Sequence, residues 1–148
     1  MSTIKTFRGL LADGGTDTIH LSGGDASTGY RIIHFNVITE NPGDTAYEHV
    51  LQIYSVKPSS PTSQVNFDDD TLLAVAFTKG DELTYRSAGT TDVVFDKEVL
   101  NQDIYITQVD TKGSLSCNYY IELEEFKMKD PETAVVNYKA ALLHGEWN

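Results

Sequence analysis

Apolar and polar residues alternate with a period of two through most of the chain, and this pattern predicts β-strands. Short turns rich in Gly, Asp, Asn and Ser separate the alternating segments. The predicted strands are TIKTFRGLL (3–11), TIHLS (18–22), YRIIHFNVIT (30–39), AYEHVLQIYSV (46–56), TLLAVAFT (71–78), VVFDKEV (93–99), DIYITQV (103–109) and LSCNYYIELEEFKM (115–128). About eight strands at intervals of ~10–15 residues predict a mainly β protein, an antiparallel β-sandwich or jelly roll.

Turn signals predict how neighbouring strands pair. The NPGDT turn (41–45) indicates a hairpin between the third and fourth strands, because Pro fixes φ and Gly tolerates positive φ. The DTKG turn (110–113) predicts a second hairpin, with its glycine in a left-handed conformation. Within the third strand, alternation places Ile33, Phe35 and Val37 together on one face.

The last segment of the chain changes from strand to helix signals. Asp130 is a good N-cap, the proline that follows it suits the first helical position, and Gly145 is a stop signal. The predicted short C-terminal α-helix of about 14 residues is marginal alone, so it must dock on its own sheet or on a neighbouring subunit. We expect one domain, with residues 1–129 forming the β-sandwich and residues 130–148 the helix and tail.

Length, charge and cysteine content narrow the functional classes. A chain of 148 residues fits one domain that buries roughly 70% of its unfolded surface. The net charge of −11 argues against nucleic acid and against anionic membranes as partners. A single cysteine allows no intrachain disulfide and no Cys-based zinc site. The apolar stretch near Met1 is too short for a signal peptide, so we expect no secretion.

Glu122 and Glu124 raise the question of a catalytic pair of carboxylates, since residues two apart on a strand share a face ~6.6 Å apart. The same alternation assigns an apolar set to the opposite side of the strand, namely Cys117, Tyr119, Ile121 and Leu123. A general acid with a raised pKa needs a poorly solvated pocket, which an open strand does not provide. We therefore expect an acidic stripe that faces solvent or a partner.

Candidate metal sites are weak in this sequence. The FDDDT stretch (67–71) lacks the spacing of a calcium loop and predicts a turn with side-chain-to-backbone hydrogen bonds. His20, His34 and His49 lie one per predicted strand, but no local motif supports a zinc site, and the last two fall where polar faces are expected. No phosphate loop, nucleophile elbow or zinc-protease helix occurs in the sequence. We expect no catalytic residue, no cofactor and no metal, hence no enzyme.

Several stretches of the chain carry a resemblance to a known group of proteins. They are GYRI, the NPG turn followed by EHV, NQDIYIT and CNYYIELE. The chain resembles, over nearly its whole length, short proteins encoded beside the structural genes of marine tailed bacteriophages. The resemblance implies a virion component with a β-sandwich body, made in the host cytoplasm. It carries no catalytic motif, so it assigns no functional residue.

From this resemblance we expect a capsid decoration or cement protein that bridges and stabilises neighbouring major capsid proteins. The expected partners are the major capsid protein or other virion proteins, and further copies of the chain in a homo-oligomer or symmetric array. Trp147 follows the helix stop, where it either anchors a partner or folds back on its own core. The expected contact residues are Ile4, Phe7, Arg8, Glu122, Glu124, Tyr138, Leu142 and Trp147.

Two alternatives remain open at the level of the sequence. The protein could be a tail, fibre or head-to-tail connector component, present in few copies per particle. It could instead be a carbohydrate-binding module for host attachment, which needs an exposed aromatic platform. The candidate members of such a platform are Tyr47, Tyr54, Tyr85 and Tyr120.

Overall fold

The computed structural model describes residues 3–21, 27–44, 46–80, 90–95 and 99–127. They form eight β-strands in two antiparallel sheets, which confirms the prediction of a mainly β protein. The strands are β1 (Thr3–Leu11), β2 (Thr16–Ile19), β3 (Thr28–Thr39), β4 (Glu48–Tyr54), β5 (Leu72–Lys79), β6 (Thr90–Val94), β7 (Ile104–Asp110) and β8 (Cys117–Lys127). This part of the chain contains no membrane-spanning helix. The predicted C-terminal helix lies outside the described residues.

The two sheets contain three and five strands. Their strand orders are β1-β8-β3 and β2-β7-β4-β5-β6. β3 also lies beside β6, although the two belong to different sheets. β1 pairs with β8, β2 with β7 and β4 with β5, and β6 extends the five-stranded sheet by pairing with β5.

Both predicted hairpins are wrong, because β3 and β4 lie in different sheets and so do β7 and β8. At the second turn, the Asp110 carboxylate accepts backbone N–H bonds from Lys112 (3.1 Å) and Leu115 (3.0 Å). These bonds direct the chain from β7 to the other sheet. Gly113 is not left-handed, a conformation that only Gly14 (φ 76°) adopts among the described glycines. Turn residues predict where the chain reverses, but not which strand it then pairs with.

The core lies between the two sheets, and β8 supplies its central column. Burial alternates along β8 as the sequence predicts, with Glu122 and Glu124 on the opposite side. Leu51, Ile53, Ile104 and Ile106 face this column from β4 and β7 and are fully buried. Burying each such side chain contributes about 1.5–3 kcal/mol, so this layer is the main source of stability.

A β-bulge changes the phase of β3. The register of β3 against β8 shifts between Ile32 and His34, so Ile33 has no partner. Ile32 and Phe35 are both buried in the core, whereas strict alternation would have placed Ile33 there. The prediction was therefore wrong for Ile33 and correct for Phe35 and Val37. A period-two pattern does not show where one extra residue enters a strand.

The buried side chain of Gln108 in β7 links the two sheets. Its Nε2 donates to the carbonyl oxygens of Leu11 (3.1 Å) and Leu115 (3.2 Å), at the end of β1 and just before β8. Because both partners are acceptors, Oε1 is left to accept from Nδ1 of His49, 3.0 Å away. Nε2 of His49 lies 2.8 Å from Oγ1 of Thr39, the last residue of β3. One hydrogen-bonded chain thus holds an end of every strand in the three-stranded sheet.

His49 is therefore a core residue. The sequence had placed it on a polar face, and that prediction was wrong. Its ring is fully buried and stacks on Tyr47, with ring centroids 5.3 Å apart. Both ring nitrogens have hydrogen-bond partners, which makes the burial of a polar ring tolerable.

The phenol of Tyr119 makes a second link between the sheets. Its hydroxyl donates a 2.8 Å hydrogen bond to Oδ2 of Asp17 in β2. To reach it, the Tyr119 side chain crosses β1 at Gly9, where a Cβ would lie only 2.7–2.9 Å from the hydroxyl oxygen and two ring carbons of Tyr119. Burial and the Asp17 carboxylate both raise the pKa of Tyr119, so its hydroxyl stays a donor at neutral pH.

Gly9→Ala should lower the free energy of unfolding by about 1–3 kcal/mol, because the new Cβ displaces the Tyr119 ring from Asp17. Urea denaturation measures the change. Gly43→Ala is the matched control, since a Cβ there meets nothing closer than 3.5 Å. Equal effects of the two substitutions would contradict the proposed contact.

Asp110→Asn should destabilise the protein at pH 7 by about 1–3 kcal/mol, because the buried carboxylate accepts backbone N–H bonds from Glu48, Lys112 and Leu115. Burial alone would raise the pKa of Asp110, but these donors and His49 outweigh it and hold the pKa below its ordinary 3.8. Because its pKa is lowered by folding, the ionised Asp110 stabilises the fold at pH values above its unfolded-state pKa. This stabilisation is lost as the pH falls through its folded-state pKa.

Chemical denaturation between about pH 2 and pH 7 tests this dependence. The stability difference between wild type and Asp110→Asn should be constant above about pH 5 and shrink below about pH 4. A difference that grows in acid would show that the charge of Asp110 does not stabilise the fold.

Candidate functional site

The side of the three-stranded sheet that points away from the core is open to solvent in the described part of the structure. We call it the outer face. The register of β1 and β3 against β8 aligns its side chains in rows across the sheet. Its members are Ile4, Thr6, Arg8 and Leu10 of β1, Asn118, Tyr120, Glu122, Glu124 and Phe126 of β8, and Arg31, His34, Asn36 and Ile38 of β3.

One end of the outer face is apolar. Leu10 (50% exposed) and Ile38 (62%) flank Asn118 in a single row, and Tyr120 (37%) lies in the next row. Ile4 (55%) lies towards the opposite end. Four of the six exposed large apolar side chains among the described residues are therefore on this face. Apolar side chains gathered on one exposed surface are typical of an interaction site.

The other end of the outer face carries an ion pair. Nη1 of Arg31 lies 3.5 Å from Oε1 of Glu124, directly across from it in the register. The guanidinium of Arg31 also lies over the Phe126 ring, 4.4 Å from its centroid. Both contacts hold the arginine flat against the sheet, so Glu124 is already paired within its own sheet.

Glu122 is also engaged within the outer face. It accepts a 2.8 Å hydrogen bond from the hydroxyl of Tyr120, and this bond raises the pKa of Tyr120.

Two arginines, Arg8 and Arg31, share the outer face with Glu122 and Glu124. The outer face is close to neutral, although the chain carries −11, and it is not the bare acidic stripe that the sequence indicated.

The structure brings together four of the eight predicted contact residues. Ile4, Arg8, Glu122 and Glu124 all belong to the outer face. Phe7 lies on the opposite side of β1 and packs against the buried core. The remaining three lie outside the described residues and are Tyr138, Leu142 and Trp147.

Leu10 and Ile38, the two apolar residues that flank Asn118 on the outer face, were not predicted from the sequence. Each follows or precedes another apolar residue, in the pairs Leu10–Leu11 and Val37–Ile38. Since neighbouring side chains of a strand point to opposite faces, one member of each pair must face outwards. Such apolar pairs inside otherwise alternating strands were the signal that could have identified this surface.

The FDDDT stretch forms a turn, as predicted. Oδ1 of Asp69 accepts hydrogen bonds from the backbone N–H (2.9 Å) and the hydroxyl (2.6 Å) of Thr71. The backbone N–H of Asp68 donates to Oδ1 of Asn66 at 3.0 Å. Across the described ranges, no group of three or more His, Cys, Asp or Glu side chains is arranged to hold a metal ion.

The four tyrosines considered for a carbohydrate platform do not form one surface. Tyr47 and Tyr54 are buried, whereas Tyr120 is exposed on the outer face. Tyr85 lies outside the described residues. The proposed four-tyrosine platform was therefore wrong for its two buried members.

Comparison with known proteins found no matching family model, no matching curated protein and no matching solved structure. The outer face is therefore identified by its geometry and chemistry.

Cys117 is a core residue rather than a nucleophile. It is fully buried, and burial together with the charge of Asp110 raises the pKa of the Cys117 thiol to about 12. At about pH 8 the native protein should react with a thiol reagent at least about a thousandfold more slowly than free cysteine. Labelling of one thiol in concentrated guanidinium is the control, and rapid labelling of the native protein would contradict this placement.

Proposed function

We propose that this protein is a non-enzymatic structural component of a tailed-phage virion, a capsid decoration or cement protein that binds the major capsid protein through its outer face. The observation that carries the proposal is the cluster of Leu10, Ile38 and Tyr120 on a solvent-open sheet face. The two glutamates that might have served as a catalytic pair are bound to Tyr120 and Arg31, which favours a contact surface over an active site.

The strand pairing supports a specific version of the fold. In a jelly roll, the first strand pairs with the eighth, the second with the seventh, the third with the sixth and the fourth with the fifth. Three of these pairs are hydrogen-bonded here, while the third strand lies near the sixth, which is hydrogen-bonded to the fifth. We propose a jelly-roll β-sandwich, completed by a helix after Asp130. Viral capsid domains and lectins both use jelly rolls, so the fold supports the virion role by analogy only.

The proposed mechanism is stabilisation by mass action. A protein that binds the assembled shell but not its free subunits shifts the equilibrium towards the shell. Because Arg8 and Arg31 offset the glutamates of the outer face, the contact depends on burying apolar side chains more than on charge. Salt screens separated charges but does not weaken apolar burial, so the protein should stay bound in about 1 M salt.

Copy number tests the proposed location. Quantitative mass spectrometry of purified particles, washed in about 1 M salt, should give a ratio to the major capsid protein near one or a fixed large fraction of it. A handful of copies per particle would favour the tail, fibre or connector role. Absence from the particle would contradict any virion role.

Ile38→Lys should reduce binding to particles at least about tenfold, because it introduces a charge into the apolar end of the outer face. Phe67→Lys is the matched control, since Phe67 is equally exposed (62%) but lies away from the outer face. Titration of each variant onto particles that lack the protein measures the affinity. Equal affinities of the two variants would exclude the outer face as the contact surface.

A further inference from the structure

β1 has a free edge in the described part of the structure. It pairs with β8 on one side, and no described strand pairs with its other side. It is nine residues long, contains no proline and keeps one register along its whole length. Long regular edges of this kind are templates for pairing with another chain.

The other edge strands are less suited to such pairing. β2 and β6 have only four and five residues. β3 contains the bulge at Ile33, and its edge is bridged to Leu100 through the backbone of Tyr30. β1 is therefore the longest regular free edge among the described strands.

We propose that a second copy of this chain pairs with this edge, β1 against β1 in antiparallel orientation, about a two-fold axis through Phe7. In an antiparallel pair, residues directly opposite each other point to the same side of the sheet. A continuous outer face therefore requires the two-fold axis to pass between the two copies of one residue, here Phe7, and not midway between neighbouring residues. Phe7 is the midpoint of Thr3–Leu11, so this axis pairs the strand over its full length.

The register about Phe7 is also the one that the side chains favour. It places Ile4 opposite the partner's Leu10, which joins two exposed apolar side chains twice in the dimer. Moving the axis to Arg8 would place the two arginines directly opposite each other. Moving it to Thr6 would place Ile4 opposite an arginine and leave Leu10 without a partner.

Charges on β1 do not oppose this arrangement. Lys and Arg on edge strands usually prevent pairing by repulsion or by their hydration. In the proposed register, Lys5 lies opposite the partner's Gly9, and Arg8 lies opposite the partner's Thr6. No like charges face each other directly, and the strand pair adds about eight to ten backbone hydrogen bonds.

The resulting dimer has one six-stranded sheet, with strand order β3-β8-β1-β1-β8-β3, and an outer face twice as wide. This inference goes beyond the proposed function and does not depend on it, because it concerns the purified protein without particles. The dimer proposal can therefore be contradicted or supported independently of the proposed virion role.

Two single variants, Ile4→Lys and Leu10→Glu, test the register by sedimentation equilibrium on the full chain. The wild type should be dimeric, and each variant alone should dimerise at least tenfold more weakly, because each places two charges against apolar partners. An equimolar mixture should recover the dimer. In the mixed dimer, the introduced lysine lies opposite the introduced glutamate, and the unaltered Ile4 and Leu10 meet at the other contact.

Ile38→Lys is the control, because it changes the same row of the outer face as Leu10 but lies on β3. It should dimerise like the wild type, although we expect it to bind particles more weakly. A monomeric wild type at about 100 μM, a mixture that does not recover the dimer, or a dimer lost in Ile38→Lys would each overturn the proposal. Thermal melts at a concentration low enough for every protein to be monomeric should match between the wild type and the single variants, whose sites are half exposed.

Discussion

The hydrogen bonds of the Gln108 side chain decide how the three-stranded sheet is held. The two donors of its amide are used by carbonyl groups of β1 and of the segment before β8, and its oxygen orients His49 towards the end of β3. A single residue of one sheet thus fixes all three strands of the other at one end. Tyr119 and Asp17 add a second tie between β8 and β2. Among the described residues, these contacts involve the inner side of the sheet, and its outer face is left open to solvent.

The strands themselves were predictable because the alternation of apolar and polar residues reflects which side chains are buried. The bounds of β1 and the buried column of β8 follow directly from the sequence. Strand pairing was not predictable, since a turn at Asp110 fits a hairpin as well as a crossing between sheets. The burial of His49 and the bulge at Ile33 depend on partners far away in sequence. For the candidate site, alternation found the two glutamates but not Arg31, which lies across the sheet from Glu124.

The distribution of charge gives the outer face its character. The chain is strongly acidic, yet this face balances arginines with glutamates and keeps apolar side chains at its end. A neutral, partly apolar surface on an acidic protein is where repulsion from other acidic proteins is least and where desolvation is most favourable. Pairing of β1 with a second copy would widen this surface without covering it. The inner side of this sheet packs against the core, and we propose that its edge pairs with a second copy and its outer side contacts the partner.

Radical footprinting tests the contact surface most directly, by comparing side-chain oxidation in the free protein and in purified particles. If the outer face binds the capsid, Leu10, Ile38 and Tyr120 will lose reactivity on the particle, while Phe67, which is exposed elsewhere, will stay reactive. Protection of Phe67 with unchanged oxidation of the outer face would contradict binding through the outer face.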